Sequence, residues 1–204
     1  MIPVQPQPEP PDFDRDVRTP GRQFIMNNPL CKPNQLKNYW SRISDQLFRA
    51  YGRICAYSAV FIPPLTGGDT VEHFVPRSAN RMLAYEWSNY RLVTSRLNGK
   101  KGDHQDVLDP FLIGQDWFIL DFPSLIVKPN PVIDPWEQTQ VTNTISRLGL
   151  NEDVCIEGRL CWLKEFCENN DLRFLKKYSP FVAHELERQN LVPLIAEMMR
   201  APPP

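Results

Sequence analysis

The chain has 204 residues, 42% hydrophobic and 23% charged, with a formal net charge of −1. That composition suits one globular core with appendages and lies far from the basic extreme of a general nucleic-acid coater. No run of eighteen apolar residues is present, and the opening MIPVQPQPEPPDFDRD has neither a basic n-region nor an apolar h-segment, so the expectation is a cytoplasmic protein with no membrane span and no signal peptide.

In chain order, residues 1–22 carry six prolines and few large apolar groups, which predicts an extended arm. Leu36, Trp40, Ile43 and Leu47 then recur at helical spacing, and Gly52 offers a stop, so residues 23–53 are read as a helical segment with a helix of about four or five turns starting near Pro33. Ile54 to Ile62 reads as a strand or extended segment, and PPLTGGD as a loop. VEHF is the next strand. Asn89 to Thr94 alternates again as a strand, and Ser95 is placed to cap a short helix through RLNGKKG.

Beyond this point, LDPFLIGQDWFILDFPSLIVKPNP mixes apolar runs with breaks and predicts an irregular connection with one or two short strands. Asn151 to Asp153 suit a helix start, with Ile156, Leu160, Leu163 and Cys167 as the apolar stripe. Ser179-Pro180 starts a further helix from Phe181 to Leu191, which Pro193 is expected to break. Residues 114–204 are thus an irregular connection followed by a helical region. The cysteines, at 31, 55, 155, 161 and 167, form no CxxC pair and read as buried free thiols in preference to zinc ligands or disulfides. Trp40, Trp87, Trp117 and Trp162 read as core anchors.

Charge is unevenly spread: +2 over residues 1–50, +3 over 51–103 and −6 over 104–204. A basic centre beside an acidic C-terminal half points to a locally bound anionic ligand. Within that centre, a strand carrying Glu72 and His73, a second strand opening at Asn89 and a short helix carrying Asn98 can bring an acid, a base and an amide to one point. Glu72 and the Asn98 side-chain oxygen are the ligand types a hard cation such as Mg²⁺ takes, and a neutral imidazole at His73 can accept a proton from water near neutral pH. Arg77, Arg96, Lys100 and Lys101 are the candidate phosphate contacts, against the plainer reading of a solvated face that also covers Arg91. His104 reads as a polar loop residue, with a second acid or a phosphate donor as the alternative, and His184 as a solvent-facing or core-capping residue of the C-terminal helix.

The stretch VEHFVPRSANRMLAYEWSNYRLVTSRLNGKKGD resembles the core of the HNH, or ββα-metal, endonucleases. With CAYS before it, LDPF after it and TISRLGLN further on, the pattern is similar to the stand-alone HNH proteins of bacterial anti-phage defence operons of the Septu and retron type. The resemblance covers residues 54–113 and implies an α+β fold, a ββα-metal core flanked by N-terminal and C-terminal helices.

It implies that His73 activates water, that Asn89 fixes the loop and the histidine, and that Glu72 and Asn98 hold Mg²⁺ or Mn²⁺ for the hydrolysis of DNA. An operon-encoded ATPase or a second copy of the chain is the implied partner class. An RNA nuclease of the same chemistry, and a silent nucleic-acid-binding or partner-docking subunit, remain the alternatives. Many HNH proteins clamp this motif with four zinc-bound cysteines; here Cys55 faces Ser58, Ser95 and Leu97 at the partner positions, so no structural zinc is expected.

Overall fold

The structure, a computed structural model, describes residues 1–64 and 68–198. It is an α+β arrangement whose described elements are eight α-helices and two antiparallel two-stranded sheets, joined by 3₁₀ turns. No helix among the described residues is long and apolar enough to cross a membrane.

Residues 1–10 are extended and tied to the body: Val4 N–H donates to the Pro110 carbonyl at 2.8 Å, and the Gln7 carbonyl accepts the Trp87 indole N–H at 2.8 Å. The expected arm does not continue to residue 22. A π-helical stretch, Asp14–Arg18, runs directly into α1 (Thr19–Asn27), because Phe13, Val17 and Ile25 supply an apolar stripe that is fully or almost fully buried. Gly21 lies on the Tyr85 ring so closely that a β-carbon there would stand 2.2 Å from it.

The helix expected from Pro33 is broken into 3₁₀ turns at Pro33–Gln35 and Tyr39–Ile43 and a short α2 (Ser44–Ala50). Leu36 turns extended, and the Asn38 side chain accepts the Ser41 N–H at 3.3 Å, ending one turn and capping the next. The apolar spacing is nonetheless met, since Leu36, Ile43 and Leu47 all reach the core. Ile54 to Ile62 forms only one β-bridge, Ile54 to Phe61, because the chain reverses sharply at Ala59, whose φ is 52°. The PPLTGGD loop falls partly outside the described residues.

β1 (Asp69–His73) pairs antiparallel with β2 (Tyr90–Thr94), placing Glu72 opposite Arg91 and His73 opposite Tyr90. α3 (Ser95–Lys101) follows β2 without a connecting loop and packs on both strands. Thr94, rather than Ser95, caps it by accepting the Leu97 N–H at 3.4 Å. Arg91 is not on a solvated face. Its guanidinium is buried, forks onto Asp109 at 2.8 and 2.6 Å, and lies 3.5 Å from the Phe111 ring centre.

β3 (Phe118–Asp121) and β4 (Ile126–Pro129) form the second hairpin within the irregular connection. Next comes α4 (Pro135–Leu148), a helix with an Asp134/Glu137 capping box and left-handed Gly149 at its end, which the sequence reading did not anticipate. α5 (Asp153–Asn169), α6 (Leu172–Tyr178), α7 (Pro180–Arg188) and α8 (Val192–Met198) complete the C-terminal region. α5 buries Arg159 and Phe166 most deeply, while Ile156, Leu163 and Cys167 of the expected stripe pack partly buried against the core; Leu160 is exposed, as is Cys161, and of the five thiols only Cys55 is fully buried. Its rotation is set by the Arg159 guanidinium, which donates to the Leu125 and Leu150 carbonyls at 2.8 and 2.9 Å. Pro193 does not break a helix but sits in the first turn of α8, where its missing N–H costs nothing.

Candidate active site

β1, the loop that follows it and α3 converge on a polar cleft of about 280 Å³. Its walls include Glu72 and His73 from the end of β1, Asn98 from α3 and Arg77 from the loop after β1, four of the residues singled out in the sequence. Trp40, Thr70 and Asp103 are added by the fold.

His73 is held on two sides. Its ring stands edge-on to Trp40, with centroids 4.7 Å apart, and to Tyr90 at 5.2 Å. Nε2 is 3.0 Å from the Ala84 carbonyl, an acceptor only, so the proton belongs on Nε2 and the Nδ1 lone pair is the one left for chemistry. Ala84 O also accepts the Tyr90 hydroxyl at 2.7 Å, which fixes the carbonyl. Burial lowers the His73 pKa to about 4; the Ala84 bond opposes this, and Arg77 and Lys101 add to it. The imidazole is therefore neutral at physiological pH.

Asn89 does not line the cleft but organises its rim. Its side-chain oxygen accepts the Val75 N–H at 2.7 Å, and its amide donates to the Val75 and Leu83 carbonyls at 3.1 and 3.0 Å. The loop that carries Arg77 is thereby tied to the turn that presents Ala84 to His73. Asn89→Ala strands three polar backbone groups next to a buried position, each such group costing about 1–3 kcal/mol. A fall in Tm in thermal unfolding, with rescue by Asn89→Gln weaker than wild type, is the expected result.

Glu72 is the surprise of the site. Although it lines the cleft, it is only 1% exposed, and its Oε1 pairs with the Lys101 ammonium at 2.7 Å while Oε2 accepts the Tyr57 hydroxyl at 3.0 Å. Burial raises its pKa, against the pull of Lys101 and Tyr57, and raises the Tyr57 pKa well above the ordinary phenol value. Lys101, expected to reach phosphate, is 0% exposed and also donates to the His73 carbonyl at 3.3 Å. It is an internal counter-ion. Arg96 and Lys100 turn away from the cleft and both pair with Glu152, at 2.5 Å, near the start of α5, leaving each partly exposed. Arg77 alone of the four expected phosphate contacts lines the cleft, its guanidinium 5.1 Å from the Trp40 ring centre.

In donor type, the cleft suits a hard divalent cation: the Glu72 carboxylate, and the Asn98 side-chain oxygen, which accepts no hydrogen bond among the described residues while Nδ2 donates to Thr70 at 3.4 Å. Each Glu72 oxygen retains a lone pair, and the Lys101 contact is the interaction a cation would compete with. Asp103 escaped the sequence reading; Gly102, at φ 49°, ends α3 and turns the chain back so that Asp103 joins the wall. The GKKGD run carried that signal.

Elsewhere, Asp116, His184 and Glu185 bring ligand atoms within 4.8 Å of one another, the one such His, Cys, Asp and Glu group among the described residues. His184 is partly exposed and pairs with Asp116 at 2.6 Å. Both Glu185 oxygens are engaged by Arg188, and Oε2 also accepts from Leu120 N and Gln189, so this carboxylate works as a buried structural acceptor. His104 is a loop residue beside Arg147, as its sequence context suggests. Compared with protein-family models and with curated proteins, the chain matches neither.

Proposed function

We propose that this protein is a metal-dependent phosphodiesterase of the HNH type that hydrolyses DNA. One observation supports the reading above the others: a doubly braced histidine shares a cleft with Arg77 and with an Asn98 amide oxygen that accepts no hydrogen bond among the described residues, at the junction of a strand pair and the helix that follows it. His73 Nδ1 takes the proton of the attacking water, while Arg77 neutralises a phosphate oxygen. Glu72 and Asn98 are the residues that would hold Mg²⁺ or Mn²⁺. The ion, when bound, supplies Lewis-acid stabilisation of charge on the phosphate and the departing 3′ oxygen. Breaking that bond leaves 5′-phosphate and 3′-hydroxyl ends.

The resemblance to defence-operon proteins extends the proposal to an anti-phage effector acting with an ATPase partner. A second reading, a silent nucleic-acid-binding subunit, is favoured by one specific feature, the Glu72–Lys101 pair that already neutralises the carboxylate.

Incubation of purified protein with supercoiled plasmid, and separately with RNA, decides between them. Arms with Mg²⁺, Mn²⁺ and chelator, with and without the ATPase, are required. Nicked or linear plasmid with divalent metal and none in chelator is expected; intact nucleic acid in every arm establishes the silent reading, and cleavage of RNA alone reassigns the substrate. Glu72→Gln and Asn98→Ala should each move half-maximal activity to higher Mg²⁺, with effects that do not add in the double variant because both touch one ion. Superimposable Mg²⁺ curves for both single variants would remove these residues from metal binding.

A further inference from the structure

Trp40 separates two cavities. On one side is the cleft with His73 and Arg77; on the other is a second cavity of about 250 Å³, and Trp40, Thr70 and Val71 line both. The second is built differently from the first. Phe48 gives it an apolar surface, and Asn38, Ser41, Ser44 and Asp69 ring it with short polar groups.

The available hydrogen-bonding groups are few and specific. Asn38 spends its side-chain oxygen on the Ser41 N–H, and its Nδ2 group makes no hydrogen bond among the described residues. Asp69 is neutralised through Oδ2 by Arg53, which leaves Oδ1, among the described residues, as an acceptor without a net charge to repel a polyanion. Ser41 and Ser44 donate to backbone carbonyls at 2.8 Å and keep their oxygen lone pairs.

Two aromatic residues, Phe48 and Trp40, in the lining, one free amide donor and neutralised acceptors suit a nucleobase, because every base has a stacking face and an edge of mixed donors and acceptors. A phosphate needs the opposite, and gets it next door from Arg77. Room for one ring system but not for a base pair means that the base must be out of its duplex to enter.

Resting on the phosphodiesterase reading, we propose that the cavity beyond Trp40 is a base-binding subsite. It holds the unpaired nucleobase adjacent to the phosphate in the His73 cleft, so that the substrate class is single-stranded or locally unpaired nucleic acid. Trp40 is the specificity-determining residue, and Asn38 reads the base edge.

The test measures binding by fluorescence anisotropy in chelator, so that it reads the pocket whether or not the chain cleaves. Three labelled probes of equal length are compared: a mixed-sequence single strand, the same strand with abasic sugars, and the duplex. The wild type should bind the base-bearing strand about 10-fold more tightly than either other probe. Trp40→Leu should abolish that preference, Trp40→Phe should keep most of it, and Asn38→Asp should reduce it, since Asp retains the turn-capping oxygen and removes the free donor.

Because Trp40 also touches His73, circular dichroism checks each variant, and the surface-placed Asn38→Asp stands as a test even if Trp40→Leu does not fold. Equal affinity for the base-bearing and abasic strands, duplex bound as well as single strand, or a preference unchanged in Asn38→Asp and Trp40→Leu overturns the subsite. Cleavage without base preference removes the subsite alone. Base preference without cleavage in any arm removes the phosphodiesterase reading and leaves a single-strand-binding protein.

Discussion

Lys101→Met should be the most destabilising single substitution in the site, lowering the free energy of unfolding by about 3–5 kcal/mol in a denaturant titration. The reason is the charge left behind. Glu72, at the cleft wall, and Lys101 are both almost fully buried, and removing the ammonium leaves a buried carboxylate whose one remaining hydrogen-bond donor among the described residues is the Tyr57 hydroxyl. The loss should depend on pH in a particular direction. Glu72 already has its pKa raised above the ordinary carboxylate value by burial, and the variant raises it further.

A raised folded-state pKa means that the folded protein keeps the proton longer than the unfolded chain. Stability is therefore greatest below the unfolded value and falls as pH climbs through the folded one. The variant should look closest to wild type at the acid end and worst at neutral pH. The double variant Lys101→Met/Glu72→Gln, which removes both charges, should recover much of the loss. A single variant as stable as wild type at neutral pH would mean that the pair is open to water.

His73→Ala should lower cleavage by about 10²–10⁴-fold, the ordinary span for losing a general base, while leaving DNA binding measured in chelator close to wild type. The pH profile distinguishes this role from a packing role. With its pKa lowered to about 4, His73 stays unprotonated well below the normal histidine range, so the acid limb of the rate should lie near pH 4 to 5 and not near 6.5. The same shift acts on stability. A lowered folded-state pKa gives a contribution present above 6.5 and lost as pH falls toward 4, worth at most roughly 3 kcal/mol. His73→Gln, which keeps a donor for the Ala84 carbonyl, should remove that acid sensitivity without restoring the rate. Full activity in His73→Ala would exclude it from the mechanism.

The strand pair and helix of the site were legible because each has a local signature: alternation in VEHF and NYRLVT, then a short basic helix closed by glycine. The placement of Lys101 was not. A lysine at a helix end ordinarily points to water, and only the carboxylate buried under α3 draws it inward, a contact made across 29 positions of sequence. Arg91 was misread for a similar reason, since its partner Asp109 lies in the irregular stretch.

Trp40 packs against the core as its spacing with Leu36, Ile43 and Leu47 implied, but its second place, on the cleft wall, was hidden because the break at Leu36 to Asn38 interrupts the helical period. The α4 helix announced itself by Asp134-Pro135, Glu137 and Gly149, but its thin apolar content, Val141, Ile145 and Leu148, hid the periodicity.

The contacts of the first twenty-seven residues bear on how such a site can be moved between proteins. Phe13 packs edge-on against both Trp87 and Tyr90, Arg18 and Arg22 pair with Glu86, and Gly21 abuts Tyr85. All four targets belong to the turn and strand whose Ala84 carbonyl orients the histidine ring. Residues 54–113 are thus no transplantable cassette: cut out alone, they would expose three aromatic faces and leave Glu86 without its arginines. The opening segment therefore braces the turn and strand that orient the histidine, and a graft of residues 54–113 onto another scaffold must bring its own substitute for that segment.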